Sequence, residues 1–216
     1  MNSIVQLIKK DLLLEWRQKH TFFSVLLYVG CTVFVIYMMV GHPEGKVWNA
    51  LFWIAQLFVT VNTVSKSFLQ DNAARARYYF SIVPPVQYLL GKMIYSVVLM
   101  WIMSFISLLL FFVLLGNQLT NPGLFVGVVL LGSSCLAVLF TFLSAIAAQA
   151  RQNSALMAIL GFPISIVLLM ILSRLSAVAI TDVLQDNWWQ LFGVMFGMNI
   201  LIMGIGLILF PFLWKE

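Results

Sequence analysis

Charge is scarce in this sequence. Asp, Glu, Lys and Arg make up 9% of its 216 residues, against 62% hydrophobic residues and a mean hydropathy of +1.03. That balance excludes a soluble domain of ordinary size. Cysteine is scarcer still: Cys31 and Cys135 both fall inside apolar stretches, where a disulfide would need two embedded thiols to meet at bonding geometry. They read as small packing residues. The sequence has no HExxH, CxxC or Gly-x-Ser-x-Gly pattern, so zinc hydrolysis, a dithiol site and a nucleophile elbow have no residues to work with. A phosphate loop is missing too. The nearest stretch, Gly41-His-Pro-Glu-Gly45-Lys46-Val47, has three residues where four are needed and ends in Val instead of Ser or Thr. No catalytic or metal-ligating set emerges, and the chain reads as a non-enzyme.

What is present is apolar sequence in long uncharged runs: Thr21–Val40, Val47–Ser65, Met93–Gly116, Gly123–Ala148, Ser154–Ser173 and Trp188–Trp214. A bilayer core needs about 20 apolar residues per helix. The fold expected is therefore an all-α polytopic membrane protein with six transmembrane helices in a single domain, over about 21–40, 47–65, 93–116, 123–148, 154–173 and 188–214. None of the runs contains a carboxylate, which argues against a proton- or sodium-coupled carrier with embedded ionisable groups. The polar residues within the runs, such as Gln56, Thr60, Asn62, Ser104, Thr141 and Asn199, ordinarily serve interhelical hydrogen bonding.

Orientation follows from where the basic residues fall. Lys9, Lys10, Arg17, Lys19, Lys66, Arg75, Arg77, Lys92, Arg151 and Lys215 share one side of a six-span map, and only Lys46 and Arg174 lie on the other. Lys and Arg are retained on cytoplasmic flanks, so both termini are placed in the cytoplasm. The net charge of +5 is accounted for by topology and anionic lipid, with no nucleic-acid partner needed. The first run and its mixed-charge flank are too long for a cleavable signal peptide.

Three gaps between the runs are long. In residues 1–20, Ile4, Leu7, Ile8 and Leu12 recur at helical spacing, with Val5 and Trp16 at one edge. That predicts an amphipathic helix lying in the cytoplasmic headgroup layer. The stretch from Lys66 to Pro85 predicts a short helix capped by Asp71 or Asn72 and stopped by Pro84-Pro85. Its Arg75, Arg77, Tyr78 and Tyr79 suit a docking surface or a solvated, positively charged loop. Residues 174–187 open apolar and close polar. They are expected to dip back as a partial re-entrant helix, the alternative being two more turns on the fifth span. His20 and His42 read as interfacial histidines. Trp188-Trp189 fits an aromatic belt, or a flat surface for a porphyrin.

Several stretches together resemble one family. They are Lys9-Lys-Asp-Leu-Leu-Leu-Glu-Trp-Arg-Gln-Lys19, Leu51-Phe-Trp-Ile-Ala-Gln through Phe68-Leu-Gln-Asp71, Pro84-Pro85 with Gly91-Lys92, and Arg151 with Pro163. The family is heme exporter protein B, the permease of the cytochrome c maturation system. The resemblance implies an ABC-exporter-type permease, paired as a homodimer with a separate ATPase subunit and working with maturation proteins C and D and haem chaperone E in the bacterial inner membrane. It implies that ATP binds the partner, that the work either moves haem itself as cargo or releases haem-loaded chaperone from its docking partner, and that this chain need bind no cofactor of its own. The loop after the second span, with Lys66, Gln70, Asp71, Asn72, Arg75, Arg77, Tyr78 and Tyr79, becomes the ATPase-coupling segment, and the N-terminal helix the elbow at the membrane surface. Members of the family carry a Gly and acidic residues after Asp71, where this chain has Asn72-Ala-Ala-Arg75. That departure bears on the charge match with the ATPase. The rival readings are an ABC permease for a drug, lipid or polysaccharide, and a stand-alone carrier.

Overall fold

The computed structural model describes residues 13, 19–69, 84–149, 154–180 and 188–213. Those residues form six helices: α1 (Lys19–Val40), α2 (Gly45–Leu69), α3 (Pro85–Leu115), α4 (Pro122–Gln149), α5 (Ser154–Ile180) and α6 (Trp188–Leu213). There is no strand among the described residues. All six are long and apolar enough to cross a membrane. Helices are what such runs must form, since hydrocarbon offers no partner to an unpaired backbone group. The surface helix expected over 1–20 falls outside the described residues, apart from 13, 19 and 20.

The hub of the bundle is α4, which packs on α2, α3, α5 and α6, while α1 touches α2 and α3. Within their spanning windows, α2 and α4 are 61% buried and α1 and α6 only 17%. Small residues let α4 sit this close to its neighbours. A Cβ placed on Gly132 would lie 2.5 Å from Leu172 Cδ2 of α5 and 2.6 Å from Trp53 Cη2 of α2. From the other side, Gly161 of α5 receives the Phe140 ring of α4, whose Cε1 would come within 2.6 Å of an added Cβ. Where α2, α3 and α4 meet, Trp48 stacks on Phe52 (5.7 Å, 3° between planes) and meets Phe111 and Phe125 edge-on.

Two boundaries differ from the sequence expectation. First, α3 starts at Pro85, eight residues before the uncharged run. Pro84-Pro85 is a helix start here, because proline at the first helical position gives up only an N–H that would have no intrahelical acceptor. Lys92, expected as a flanking residue, is thereby carried into the helix and is 4% exposed. Second, residues 174–180 are no re-entrant element but the continuation of α5. Leu175, Val178 and Ala179 are buried. The last carbonyls of a helix lack intrahelical donors, and the turn between α3 and α4 supplies them. Thr120 N–H and Asn121 N–H donate to Ala179 C=O (3.1 and 3.0 Å), and the Thr120 hydroxyl donates to Ile180 C=O (2.7 Å). The turn between α1 and α2 closes in as well, with Gly45 against Ile180. That turn begins at Gly41, whose φ of 67° and N–H bond to Tyr37 C=O (2.8 Å) end α1 in a left-handed cap.

Candidate functional site

The residues expected to couple to an ATPase sit between α2 and α3. Lys66 lies in the last turn of α2. Gln70, Asp71, Asn72, Arg75, Arg77, Tyr78 and Tyr79 lie outside the described residues. On the α3 side the described residues resume at Pro84. Pro84 and Pro85 set the direction of the first turn, with Gln87 N–H and Tyr88 N–H donating to Pro84 C=O at 3.0 and 3.2 Å. The Tyr88 ring then stacks on Phe210 of α6 (6.5 Å, 13°). Tyr88, Lys92 and Tyr95 are all buried and recur at helical spacing, so they share one face of α3. Beside Lys92, Met93 meets α6 at Gly206, where an added Cβ would come 3.0 Å from Met93 Cε. The start of α3 is thus locked to the end of α6.

Two polar ties hold the helices of this face to the rest of the bundle. Deep in the core, the Ser104 hydroxyl of α3 donates to Gln56 Oε1 of α2 at 3.0 Å, both side chains having no solvent exposure. Gln56 Nε2 and the hydroxyls of Ser96 and Ser107 have no hydrogen-bond partner among the described residues. At the opposite end, Asn49 Nδ2 donates to Ser173 C=O (2.8 Å) and Trp53 Nε1 donates to Ser176 Oγ (2.8 Å). Ser176 Oγ in turn lies 2.7 Å from Asn49 Oδ1 and 2.6 Å from Leu172 C=O, so its one proton serves a single acceptor at a time. These bonds pin α2 to α5.

Of the polar residues singled out within the runs, Gln56 and Ser104 make the interhelical bond expected of them. The Thr60 and Thr141 hydroxyls instead donate to Gln56 C=O and Ala137 C=O of their own helices, at 2.7 and 2.6 Å. Sequence reading missed the Asn49–Trp53–Ser176 set. Its one visible signal was Asn49 with an indole N–H, that of Trp53, four residues on in the second run's first turns. Cys31 and Cys135 are free. His42 is exposed just past α1, and the Trp188 and Trp189 rings lie 3.9 Å apart at 30°. No group of three or more His, Cys, Asp or Glu side chains is placed to hold a metal among the described residues.

A six-helix membrane bundle does not by itself fix a function, and the decision comes from comparison. The family model described as CcmB protein matches residues 2–212. The chain belongs to the CcmB family, heme exporter protein B. No curated protein matches it. Family membership makes it a multi-pass membrane permease component of the haem exporter of cytochrome c maturation, within a complex that includes an ATPase. The CcmB match takes in α1 through α5, nearly all of α6 and the whole of the 70–83 segment, so no described helix falls outside the family's extent.

Proposed function

We propose that this chain converts ATP hydrolysis on a separate ATPase subunit into movement of its own helices, and that the movement drives haem export or releases haem-loaded chaperone for cytochrome c assembly. On this reading Lys66, Gln70, Asp71, Asn72, Arg75, Arg77, Tyr78 and Tyr79 form the contact with the ATPase. Both termini lie in the cytoplasm and the bundle sits in the bacterial inner membrane. A second copy of the chain, maturation proteins C and D and haem chaperone E complete the complex. ATP is held by the ATPase, haem is the cargo on the export alternative, and this chain holds no cofactor of its own.

The observation that carries the reading is the mounting of the segment. It joins α2 directly to α3, which pack on each other and on the α4 hub. Its exit is gripped by the Tyr88–Phe210 stack. A push on residues 70–83 therefore enters α2, α3 and α6 together. An ATPase shifts such a bundle only by contacting its two states unequally, and a segment joined to α2 and α3, with α6 packed on α3, is where it would do so. The test is co-expression with and without the ATPase subunit. The purified chain alone is expected to hydrolyse no ATP, and the co-expressed pair to co-purify with hydrolysis. Hydrolysis by the isolated chain, or failure of the pair to associate, overturns the reading.

A further inference from the structure

Between α2 and α5, near the membrane face that carries the turns after α1 and α3, lies a groove of about 360 Å³ that opens sideways from the bundle. Its floor is the edge of Trp53, 2% exposed, and its walls include Ala50, Ile54, Ile166 and Met170. Ile54, Ile166 and Met170 are 46%, 41% and 58% exposed, so the apolar walls face the hydrocarbon. At one end stands Arg174, exposed and free of any ion pair among the described residues. The only carboxylate among those residues, Glu44, is not part of the lining.

Depth decides what such a groove can take. Arg174 lies six residues before the end of α5 at Ile180, about 9 Å at the rise of a helix. An arginine at that depth extends its guanidinium to the level of lipid phosphates while its stem stays in hydrocarbon. Ile166 sits eight residues deeper along the same helix, about 12 Å. The groove is therefore cationic at headgroup height and apolar below. Guanidinium binds phosphate through two parallel hydrogen bonds, and an acyl chain matches the walls beneath.

We propose that this groove is a binding site for one anionic phospholipid, its phosphate on Arg174 and an acyl chain lying along Trp53 between α2 and α5. The occupant seals the seam that the Asn49–Ser173 and Trp53–Ser176 bonds hold together on the inside. The assignment to the outer leaflet rests on the orientation proposed above; the binding itself does not.

The experiment is native mass spectrometry of the full chain released from vesicles of equal phosphatidylglycerol and phosphatidylcholine. The quantity read is the ratio of chain carrying one molecule of each lipid. Wild type is expected to favour phosphatidylglycerol. Arg174→Gln should lower the ratio about fivefold, the effect of one basic residue on anionic lipid, and Arg174→Lys should largely keep it. Ala50→Leu, at an exposed position of the wall, should lower it with the charge intact. Lys46→Gln removes an exposed charge near the same face outside the groove and should leave it unchanged. An unchanged ratio in Arg174→Gln or in Ala50→Leu, or an equal fall in Lys46→Gln, overturns the proposal. So does haemin displacing the lipid from wild type but not from both groove variants, which would give the groove to a flat dicarboxylate. None of these readings depends on ATPase coupling, so this proposal and the functional one fail separately.

Discussion

Ser176 carries more of the α2–α5 contact than its size suggests. It accepts the Trp53 N–H and lies within bonding distance of Asn49 Oδ1. Ser176→Ala would leave a buried indole N–H and an amide oxygen without their partner, at a cost of about 1 to 2 kcal/mol. Thr141→Ala removes a hydroxyl that donates only within its own helix, and should cost a few tenths, about 0.5 kcal/mol at most. Unfolding of the purified chain in rising SDS would compare them, and equal shifts would refute the pin. Glycine gives a second contrast at this scale. Gly132→Val drives side-chain atoms into Leu172 and Trp53 and is expected to destabilise by about 1 to 3 kcal/mol. Gly193→Ala, with nothing within 4 Å of the new Cβ, should be close to neutral in the same assay.

Among elements, the 70–83 segment is the one whose chemistry the sequence describes best. If it is helical, Arg75 and Arg77 point about 200° apart, so they cannot both face one docking partner. Arg75 then shares a side with Asp71, Asn72, Tyr78 and Tyr79, three or four positions away, and Arg77 turns toward lipid headgroups. Replacing Asp71 and Arg75 together by Ala is expected to remove charge-assisted contacts worth about 1.5 to 3 kcal/mol, roughly a tenfold or greater loss of ATPase affinity. Arg77→Ala should be milder. The measurement is ATPase recovered per permease, with cytochrome c yield in the same cells. If neither change has an effect, the segment returns to being a positively charged membrane anchor. The six helices themselves could be read from the sequence because no Asp, Glu, Lys or Arg interrupts their cores. Two of their ends could not. Arg174 looked like a stop because it broke an apolar run, while the donors that let α5 pass it come from Thr120 and Asn121, more than fifty residues away in the chain. Pro84-Pro85 reads as a stop from its N-terminal side and as a start from its C-terminal side, and only the packing of Tyr88 on Phe210 selects the second. The Gln56–Ser104 bond was half visible: both residues stood out as polar in apolar runs, but their pairing depends on how α2 and α3 are set against each other.

At the scale of the whole molecule, the ten-to-two division of basic residues makes a map that reporter fusions can check. Fusions after His42, Gln118 and Gln185 should report the periplasm, and those after Asp71 and Gln152 the cytoplasm. One inverted reading would break the six-span arrangement with both ends inside.

The place of α4 at the centre of the bundle also has a meaning in time. Translation delivers the helices in order, so α2 and α3 reach the bilayer before the element they both pack on exists. Until α5 follows, Asn49 and Trp53 hold polar groups on α2 whose partners have not been made. A nascent copy therefore passes through a stage in which α2, one of its two most buried helices, lacks both the α4 and the α5 surfaces that cover it. A chain stopped at Asn121 contains three complete membrane helices and none of α4. It is expected to be cleared by membrane proteases far faster than the full chain, as pulse-chase labelling would measure. Survival at the full-length rate would mean that the first three helices can wait in lipid on their own.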